Sequence, residues 1–371
     1  MTRESMRVAF IGTAGVPNRY GGFEAFLEHC GPEIARHCDE VIVTCDASLY
    51  VDRSPRVGGM RRVFLPVRAN GALSVLHDLV AFLAVFPRAS HVVVLGVSGG
   101  VWFPLFRLAC DLGGRRLLVN VDGVESRRGK HGPVKQRLLQ GFDALSQRFA
   151  HGVVYDNAAL LPWIAPAARA KAVEIAYPGD HVLRTGAQRE PRTALTICRI
   201  EPENNVELLL QGAQRSSLAR YTVVGNWAHS AWGRALRARY AGDPRLELLD
   251  PVYDPAALAA LRERCTHYLH GHSVGGTNPS LVEMLFYESD LLCFDVPFHR
   301  ATAGDCARYF RTADELASLL VAPAPVDGAQ RALQRARYTR SRIAAGYLAA
   351  MRGEAVETAS GPHAARAPRP H

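Results

Sequence analysis

The chain has 371 residues and carries 44 Lys and Arg against 35 Asp and Glu, a net charge of +9 at pH 7. With 48% hydrophobic and 21% charged residues it has the composition of a soluble globular protein, and its length suggests two domains of ordinary size. The eight cysteines are scattered without a C-x-x-C pair, which disfavours a disulfide scaffold or a zinc site and favours a reduced chain.

Membrane-directed segments are not expected. The first residues lack the apolar core of a signal sequence. The longest uncharged run, 92–106, is too short to span a bilayer comfortably, and Gly99, Gly100 and Pro104 interrupt it. These features predict a cytoplasmic chain without a transmembrane helix.

The first half of the chain alternates apolar runs of strand length with amphipathic stretches of helix length. Strands are predicted over 6–12, 41–45, 63–65, 92–95, 117–121 and 153–155. Helices are predicted over 21–34, 74–86, 101–112 and 134–149. This alternation is typical of a parallel sheet with helices on both faces.

A polar segment broken by Gly and Pro, 184–193, interrupts the pattern, which then restarts. Strands are predicted over 195–198, 221–224, 246–249, 268–269 and 291–294. Helices are predicted over 206–215, 232–240, 256–264 and 279–287, followed by one long helix over 329–351.

The pattern therefore predicts an α/β protein with two Rossmann-like domains whose parallel sheets face a central cleft. The expected boundaries are 1–180 for the first domain, 181–328 for the second domain, 329–352 for a helix that returns to the first domain, and 353–371 for a disordered tail. Ligands of parallel sheets bind at the carboxyl ends of strands, so the loops after Gly12, Val121, Cys198, Val224 and Leu269 should line the cleft.

A glycine-rich turn and a helix start stand out at 268–283, Y-L-H-G-H-S-V-G-G-T-N-P-S-L-V-E. Thr277 or Asn278 can cap the helix, and Pro279 suits its first turn. The paired glycines leave the backbone N–H groups exposed, which predicts a phosphate site. Glu283 lies about one turn further on, where it can accept hydrogen bonds from sugar hydroxyls. A glycine-rich helix start with a solvated glutamate is the plainer alternative.

The stretch 198–205, C-R-I-E-P-E-N-N, also follows a strand and opens a helix. Arg199 is a permanently charged, bidentate donor suited to a diphosphate. The alternative is a surface ion pair with Glu201 or Glu203. Asn204 and Asn205 follow, and Asn226 lies just past the next strand.

The first domain offers two acidic candidates on its own loops. Tyr20 and the pair Gly21-Gly22 lead into Glu24, and Asp122 follows a strand end in 119–125, V-N-V-D-G-V-E. Either Asp122 or Glu24 could orient a ligand hydroxyl. A cap or turn role is the alternative for each.

Basic residues are concentrated in two runs. Residues 331–371 hold eight arginines against two glutamates, and 127–137 holds no acidic residue. Neither run has the interleaved aromatic residues used for base stacking, so an anionic membrane or a lipid phosphate is favoured over nucleic acid. A solvated basic surface without a partner is the alternative for each run.

Five motifs in collinear order resemble glycosyltransferase family 4, in the branch of bacterial cell-surface rhamnosyltransferases. They are I-G-T-A-G-V-P-N-R-Y-G-G-F-E at 11–24, V-N-V-D-G-V-E at 119–125, C-R-I-E-P-E-N-N at 198–205, H-G-H-S-V-G-G-T-N-P-S-L-V-E at 270–283 and D-V-P-F-H-R-A-T at 295–302. The resemblance covers roughly 6–350.

The resemblance implies the GT-B fold and a retaining glycosyltransferase that takes dTDP-rhamnose, with an acceptor-binding domain at 1–180 and a nucleotide-sugar-binding domain at 181–328. The implied catalytic residue is Asp122 or Glu24, which would orient the acceptor hydroxyl while its proton passes to the leaving phosphate. Its implied acceptor is a polyprenyl-diphosphate-linked saccharide at the inner membrane face, in capsule, O-antigen or exopolysaccharide synthesis. Candidate donor-binding residues are Gly12, Gly21, Gly22, Arg199, Asn204, Asn205, Asn226, His272, Gly275, Gly276, Thr277, Asn278 and Glu283. Candidate acceptor or membrane residues are Tyr20, Glu125, Arg127, Arg128 and Lys130. No cofactor or metal is expected, because the histidines and Glu283 lack H-E-x-x-H spacing.

The chain departs from the family at three places. Asn204 stands where a lysine is common, and Gly275 stands where the first of two glutamates usually lies, the second being Glu283. The segment 284–290, M-L-F-Y-E-S-D, replaces small residues and a Gly-x-Pro turn, which leaves the local packing open.

Two other functions fit parts of the sequence. A nucleotide-sugar 2-epimerase shares the fold, and a non-enzymatic nucleic-acid binder would use the basic tail. An oxidoreductase is disfavoured because G-T-A-G-V-P after the first strand is not G-x-G-x-x-G.

Overall fold

The computed structural model describes residues 5–19, 21–121 and 132–356. The chain divides into two compact units. Unit 1 comprises residues up to Pro178 together with those from Arg340 onward, and unit 2 comprises Gly179–Thr339.

Unit 1 is built on a sheet of eight strands in its described part. The strands are Arg7–Ile11 (β1), Glu40–Asp46 (β2), Arg56–Val57 (β3), Met60–Leu65 (β4), His91–Leu95 (β5), Arg116–Asn120 (β6), Gly152–Tyr155 (β7) and Ala172–Glu174 (β8). The helices up to Pro178 are Gly22–Ala35 (α1), Ser74–Val85 (α2), Phe103–Leu112 (α3) and Pro133–Phe149 (α4). The strand order is β3-β4-β2-β1-β5-β6-β7-β8. Every neighbouring pair is parallel except β3 with β4.

Unit 2 repeats the design with six parallel strands. They are Thr193–Ile197 (β9), Arg220–Val224 (β10), Leu246–Leu249 (β11), His267–His270 (β12), Asp290–Phe294 (β13) and Ala307–Phe310 (β14), in the order β11-β10-β9-β12-β13-β14. The helices are Val206–Gln214 (α5), Ala231–Tyr240 (α6), Pro255–Arg264 (α7), Pro279–Leu285 (α8), Pro297–Ala303 (α9), Ala313–Leu319 (α10) and Gly328–Ala336 (α11).

The strands at the centre of each sheet are apolar and buried, as parallel strands covered on both faces must be. Val8 to Ile11 of β1 and Leu291 to Cys293 of β13 are fully buried. Because right-handed crossovers that step in one direction lie on one face of a sheet, α2, α3 and α4 cover one face of unit 1 and α1 covers the other.

A final helix, Arg340–Arg352 (α12), packs on α1 within unit 1. The ring of Tyr347 stacks on Phe26 at 4.6 Å and meets Phe10 edge-on at 6.2 Å. Its hydroxyl accepts a hydrogen bond of 2.7 Å from Asn120 Nδ2 at the end of β6.

The sequence predicts one helix over 329–351, whereas the structure has two. The chain leaves helical geometry between Ala336 and Arg340, where Tyr338 is buried and its hydroxyl donates to Thr302 O at 3.0 Å. Because the Tyr338 ring is buried in unit 2, the chain changes direction before α12 begins. In the described part of the chain, no helix is both long and apolar enough to cross a bilayer.

Candidate functional site

Three loops of unit 2 are tied together at the carboxyl edge of its sheet. They follow β9, β10 and β12, which are neighbours in the strand order. Asn226 Oδ1 accepts from the backbone N–H of Ile200 at 2.7 Å, and Asn205 Nδ2 donates to Gly271 O at 2.8 Å. The loops therefore form one connected surface, and the sequence motifs predict that the donor binds there.

The asparagines of the 198–205 loop determine its shape. Asn204 is buried and its Nδ2 donates to Arg199 O at 2.7 Å. Asn205 has φ of 50°, a left-handed conformation that asparagine tolerates better than most residues. Both side chains thus hold backbone in place, and direct contact of either one with a donor stays a prediction.

Arg199 projects from this loop with half of its side chain exposed. Its Nη1 lies 3.8 Å from Glu201 Oε1, which is longer than a hydrogen bond. An exposed pair with this geometry is weak. The guanidinium is therefore accessible to an anion, and the pair with Glu201 does not fully occupy it.

The turn 271–278 approaches the 198–205 loop closely. A Cβ on Gly271 would lie 2.4 Å from Asn204 O, so glycine is needed here. Ser273 donates both its N–H and its Oγ–H to Glu203 O, at 2.9 and 2.8 Å. Gly275 has φ of 134° and open space on its side-chain face.

The predicted start of α8 is confirmed. Asn278 caps the helix, its Oδ1 accepting from Ser280 N at 3.1 Å and Ser280 Oγ at 2.8 Å, and Pro279 occupies the first turn. Thr277 is buried just before the cap, and Gly276 is partly exposed.

Arginine side chains bind the backbone carbonyls of the segment 284–290, which departs from the family pattern. Arg331 Nη1 donates to Met284 O at 3.4 Å and Tyr287 O at 3.3 Å, and Arg335 Nε donates to Leu285 O at 2.5 Å. Arg184 donates to Phe286 O. These guanidinium groups satisfy carbonyls that a helix end leaves without partners, so the segment packs well without a Gly-x-Pro turn.

Glu283 is held by two cationic or potentially cationic groups. Its Oε2 accepts from Arg262 of α7, and its Oε1 lies 3.1 Å from His181 Nε2. The Glu283 side chain is 16% exposed. Glu283 was predicted from the sequence, whereas Arg262 and His181 carry no motif of their own and were not predicted.

Three imidazoles pack together beside the turn. His270 stacks on His272 at 4.3 Å and meets His299 at 4.6 Å with the rings tilted by 67°. Burial, reinforced by the two neighbouring imidazoles, lowers the pKa of His270 well below its usual range, and burial lowers the pKa of His299 to about 4. His270 and His299 are therefore neutral at pH 7.

His299 was not singled out from the sequence, although it lies in the motif at 295–302. Its Nδ1 donates to Phe294 O at 2.7 Å, which fixes the tautomer of the neutral ring. Within the described ranges, no group of three or more His, Cys, Asp or Glu side chains is arranged to hold a metal ion.

In unit 1, the loop after β1 folds around Glu24. The buried Oε1 accepts from Thr13 Oγ1 at 2.6 Å and from Ala14 N at 2.7 Å. Gly12 approaches β5 so closely that a Cβ would lie 2.6 Å from Leu95 O. Gly21 and Gly22 begin α1. Glu24 thus shapes the loop, and its catalytic role stays a prediction.

Several candidates lie outside the described residues, namely Tyr20, Asp122, Glu125, Arg127, Arg128 and Lys130, as does the tail beyond 356. Asn120, two residues before Asp122, is described and is tied to Tyr347. The assignment of Asp122 as catalytic therefore stays a prediction.

No family model and no curated protein sequence matches the chain. Among solved structures it is similar to sucrose-phosphate synthase from Thermosynechococcus elongatus, with 14% identity over 94% of this chain and 98% of that one and a TM-score of 0.77. It is also similar to α,α-trehalose-phosphate synthase (UDP-forming) from Burkholderia vietnamiensis, with 11% identity, coverage of 96% and 98%, and a TM-score of 0.64.

A third similar structure is the catalytic domain of starch synthase IV from Arabidopsis thaliana bound to ADP and acarbose, with 11% identity, coverage of 91% and 99%, and a TM-score of 0.61. These proteins are GT-B glycosyltransferases. The chain has the GT-B fold. The predicted fold class, α/β with two parallel sheets, is confirmed. At such low identities the GT-B similarity shows the fold alone.

Proposed function

We propose that the chain is a retaining glycosyltransferase that binds a nucleotide sugar in unit 2. The observation that carries this proposal is the connected surface at the carboxyl edge of β9, β10 and β12, which presents the half-exposed Arg199 beside the open turn at Gly275. A starch synthase of the same fold is bound to ADP, which has the diphosphate that this arrangement suits.

The proposed chemistry begins at the diphosphate of the donor. Arg199 donates two charge-assisted hydrogen bonds to the diphosphate and stabilises it as it leaves. The acceptor hydroxyl forms a bond to the anomeric carbon while the bond from that carbon to the diphosphate breaks, and the hydroxyl proton passes to the departing phosphate. Asp122 or Glu24 orients the acceptor hydroxyl.

The donor we propose is dTDP-rhamnose. Gly275 supports it, because no side chain stands where family 4 enzymes usually place an acidic contact to the transferred sugar, and a 6-deoxy sugar has fewer hydroxyls to hold. The motifs shared with the rhamnosyltransferase branch support the same choice. The comparisons give no support to an epimerase.

The acceptor we propose is a polyprenyl-diphosphate-linked saccharide, reached by peripheral binding of unit 1 to the inner membrane surface. The support is an exposed apolar surface on α2, α3 and α4, which we name the leucine face. It consists of Leu76, Leu83, Leu105, Leu108, Val134 and Leu138. The exposed Lys135 and Arg137 lie beside it on α4 and complement an anionic bilayer.

Donor binding is the direct test of this function. Thermal stabilisation by a panel of nucleotide sugars identifies the donor, because a ligand that binds the folded state raises its stability. Arg199→Ala should weaken the affinity for that donor by at least about a hundredfold, since two bonds to a charged group are lost. Arg239→Ala, at an exposed arginine on α6, is the matched control. Unchanged calorimetric affinity in Arg199→Ala would refute the assignment.

A further inference from the structure

The surroundings of Glu283 give two further residues a place in nucleotide binding. Its Oε2 accepts from Arg262 Nη2, and its Oε1 lies 3.1 Å from His181 Nε2. The exposed fractions of the three side chains are 16% for Glu283, 9% for Arg262 and 15% for His181. The cluster therefore lies largely out of solvent, and a different part of the chain contacts each oxygen of the carboxylate.

Arg262 is itself fixed by packing. It lies in the last turn of α7, and its guanidinium carbon is 6.0 Å from the centre of the Tyr287 ring. The Tyr287 hydroxyl donates to Leu183 O at 2.9 Å, and the Arg184 guanidinium covers the same ring at 4.4 Å. Arg262 therefore has little freedom to leave Glu283, and the carboxylate bound to it has one preferred orientation.

His181 approaches Glu283 from the segment that follows Pro178. Gly179 packs so tightly on α8 that a Cβ there would lie 2.8 Å from Val282 Cγ1 and 2.7 Å from Phe286 Cε2. Because Gly179 is only two residues away, this packing holds the backbone of His181 against the helix that carries Glu283.

Stability alone is a poor explanation for this cluster. Removing two charged side chains from water costs about as much free energy as their attraction provides, so a buried ion pair adds little to folding. Among the residues that the structure describes, the buried Arg262 Nε also has no hydrogen-bond partner, which is a further cost. Buried polar groups held in this way are typical of the shell that supports a binding site.

The contacts leave room for a ligand. Each carboxylate oxygen has two accepting positions, so Arg262 and His181 leave one position on each oxygen of Glu283. A freely rotating glutamate loses rotamer freedom when it binds a hydroxyl, whereas one that is already held loses little. We propose that Arg262 and His181 are positioning residues, which hold the Glu283 carboxylate ready to accept from the sugar ring of a nucleotide. This inference rests on the proposed function and on the predicted contact between Glu283 and that ring.

Calorimetric titration of the full chain with dTDP, UDP and ADP first identifies the nucleoside diphosphate that binds most tightly. Arg262→Met should weaken that affinity about tenfold, because the carboxylate is no longer held in its binding orientation. His181→Phe should act in the same direction through the other oxygen. Arg262→Lys keeps a positively charged donor and should restore most of the affinity.

Arg264→Met is the matched control for these variants. Arg264 lies in the same helix turn as Arg262, but its side chain is half exposed and stands 3.8 Å from Glu190. This variant should bind the nucleotide as the wild-type chain does.

A double-mutant cycle distinguishes positioning from a general structural role. In a Glu283→Ala background, Arg262→Met should change the affinity by less than about twofold, because the residue through which Arg262 acts is gone. A weakened fold would instead lower the affinity in both backgrounds alike.

The outcomes separate the inference from the function beneath it. The inference is wrong if Arg262→Met and His181→Phe bind the nucleotide as tightly as the wild-type chain, or if their losses persist in Glu283→Ala. If Arg262→Met does not fold, the same cycle with His181→Phe decides. If the folded wild-type chain binds none of the three nucleotides, the proposed function fails and the inference falls with it.

Discussion

At the scale of single residues, the buried imidazole of His299 makes folding sensitive to mild acid. The pKa of His299 is lowered to about 4 by burial, whereas an unfolded chain takes up the same proton near pH 6.5. Between these values the unfolded state binds more protons, so the stability contributed by neutral His299 is complete above pH 6.5 and is lost as the pH falls.

The expected loss from His299 between pH 7 and pH 5 is about 2 kcal/mol in the free energy of unfolding. His299→Asn should remove that part of the pH dependence in urea melts. His229→Asn, at an exposed histidine of the same unit, serves as the control. An unaltered pH dependence in His299→Asn would show that the buried ring is not the cause.

Glu283 offers a second prediction at this scale. If Glu283 contacts the ribose ring of the nucleotide, Glu283→Gln should weaken binding of the nucleoside diphosphate alone as much as binding of the complete nucleotide sugar. Calorimetry with both ligands measures the two losses. A loss confined to the nucleotide sugar would mean that Glu283 contacts the transferred sugar instead.

These residues also show what the sequence could and could not predict. The cap at Asn278 was predictable because capping acts over two or three residues along the chain. The partners of Glu283 were not, because His181 and Arg262 are 102 and 21 residues away and nothing local marks a contact between them. The buried pairing of His270 with His299 was hidden for the same reason.

At the scale of elements, the alternation of strands and helices was predictable because each buried strand and amphipathic helix leaves a local period. The short elements β8, β14, α9 and α10 were missed, since runs of three to seven residues give little periodic signal. The break between α11 and α12 was missed because it depends on Tyr338 being buried by distant residues.

The leucine face carries a prediction about helices α2, α3 and α4. Apolar side chains add burial at the bilayer interface, and each nearby basic residue adds about 1 kcal/mol at an anionic surface. A chain truncated after Arg352 should therefore sediment with anionic vesicles at low salt, and less so at high salt. Truncation removes the arginines at 366 and 369, which could otherwise cause the same binding.

The double substitution Leu105→Gln with Leu108→Gln should reduce this sedimentation strongly, because both side chains are exposed on α3. Leu333→Gln, at an exposed leucine of α11, should leave it unchanged. The basic run 127–130 is tested separately by alanine at Arg127, Arg128 and Lys130. If the truncated wild-type chain ignores anionic vesicles, the membrane proposal is wrong.

At the scale of the whole molecule, unit 1 depends on a helix from the far end of the chain. Tyr347 is almost fully buried and packs on Phe26 and Phe10. Tyr347→Ala should therefore destabilise unit 1 by about 3–5 kcal/mol, as large-to-small core substitutions do. Tyr347→Phe should cost about 1 kcal/mol, for the bond to Asn120.

Hydrogen exchange can locate this effect. In Tyr347→Ala, protection should fall in β1, β6 and α1, while β9 to β13 keep theirs, because opening energies are local to cooperative units. Tyr240→Ala, at a buried tyrosine of unit 2, should give the converse pattern. Equal losses in both units would mean that the chain unfolds as a single body.

The first and last parts of unit 2 lie side by side, since the N–H of Gly179 donates to Tyr338 O at 2.8 Å, and unit 1 continues on both sides of unit 2 along the chain. Unit 2 is thus an insertion within unit 1, with consequences for synthesis on the ribosome. All of unit 2 is translated before α12, and at about 5–20 residues per second that takes on the order of ten to thirty seconds. Throughout this interval the nascent first unit lacks its last helix and leaves Phe26 uncovered for a chaperone, or another nascent chain, to bind.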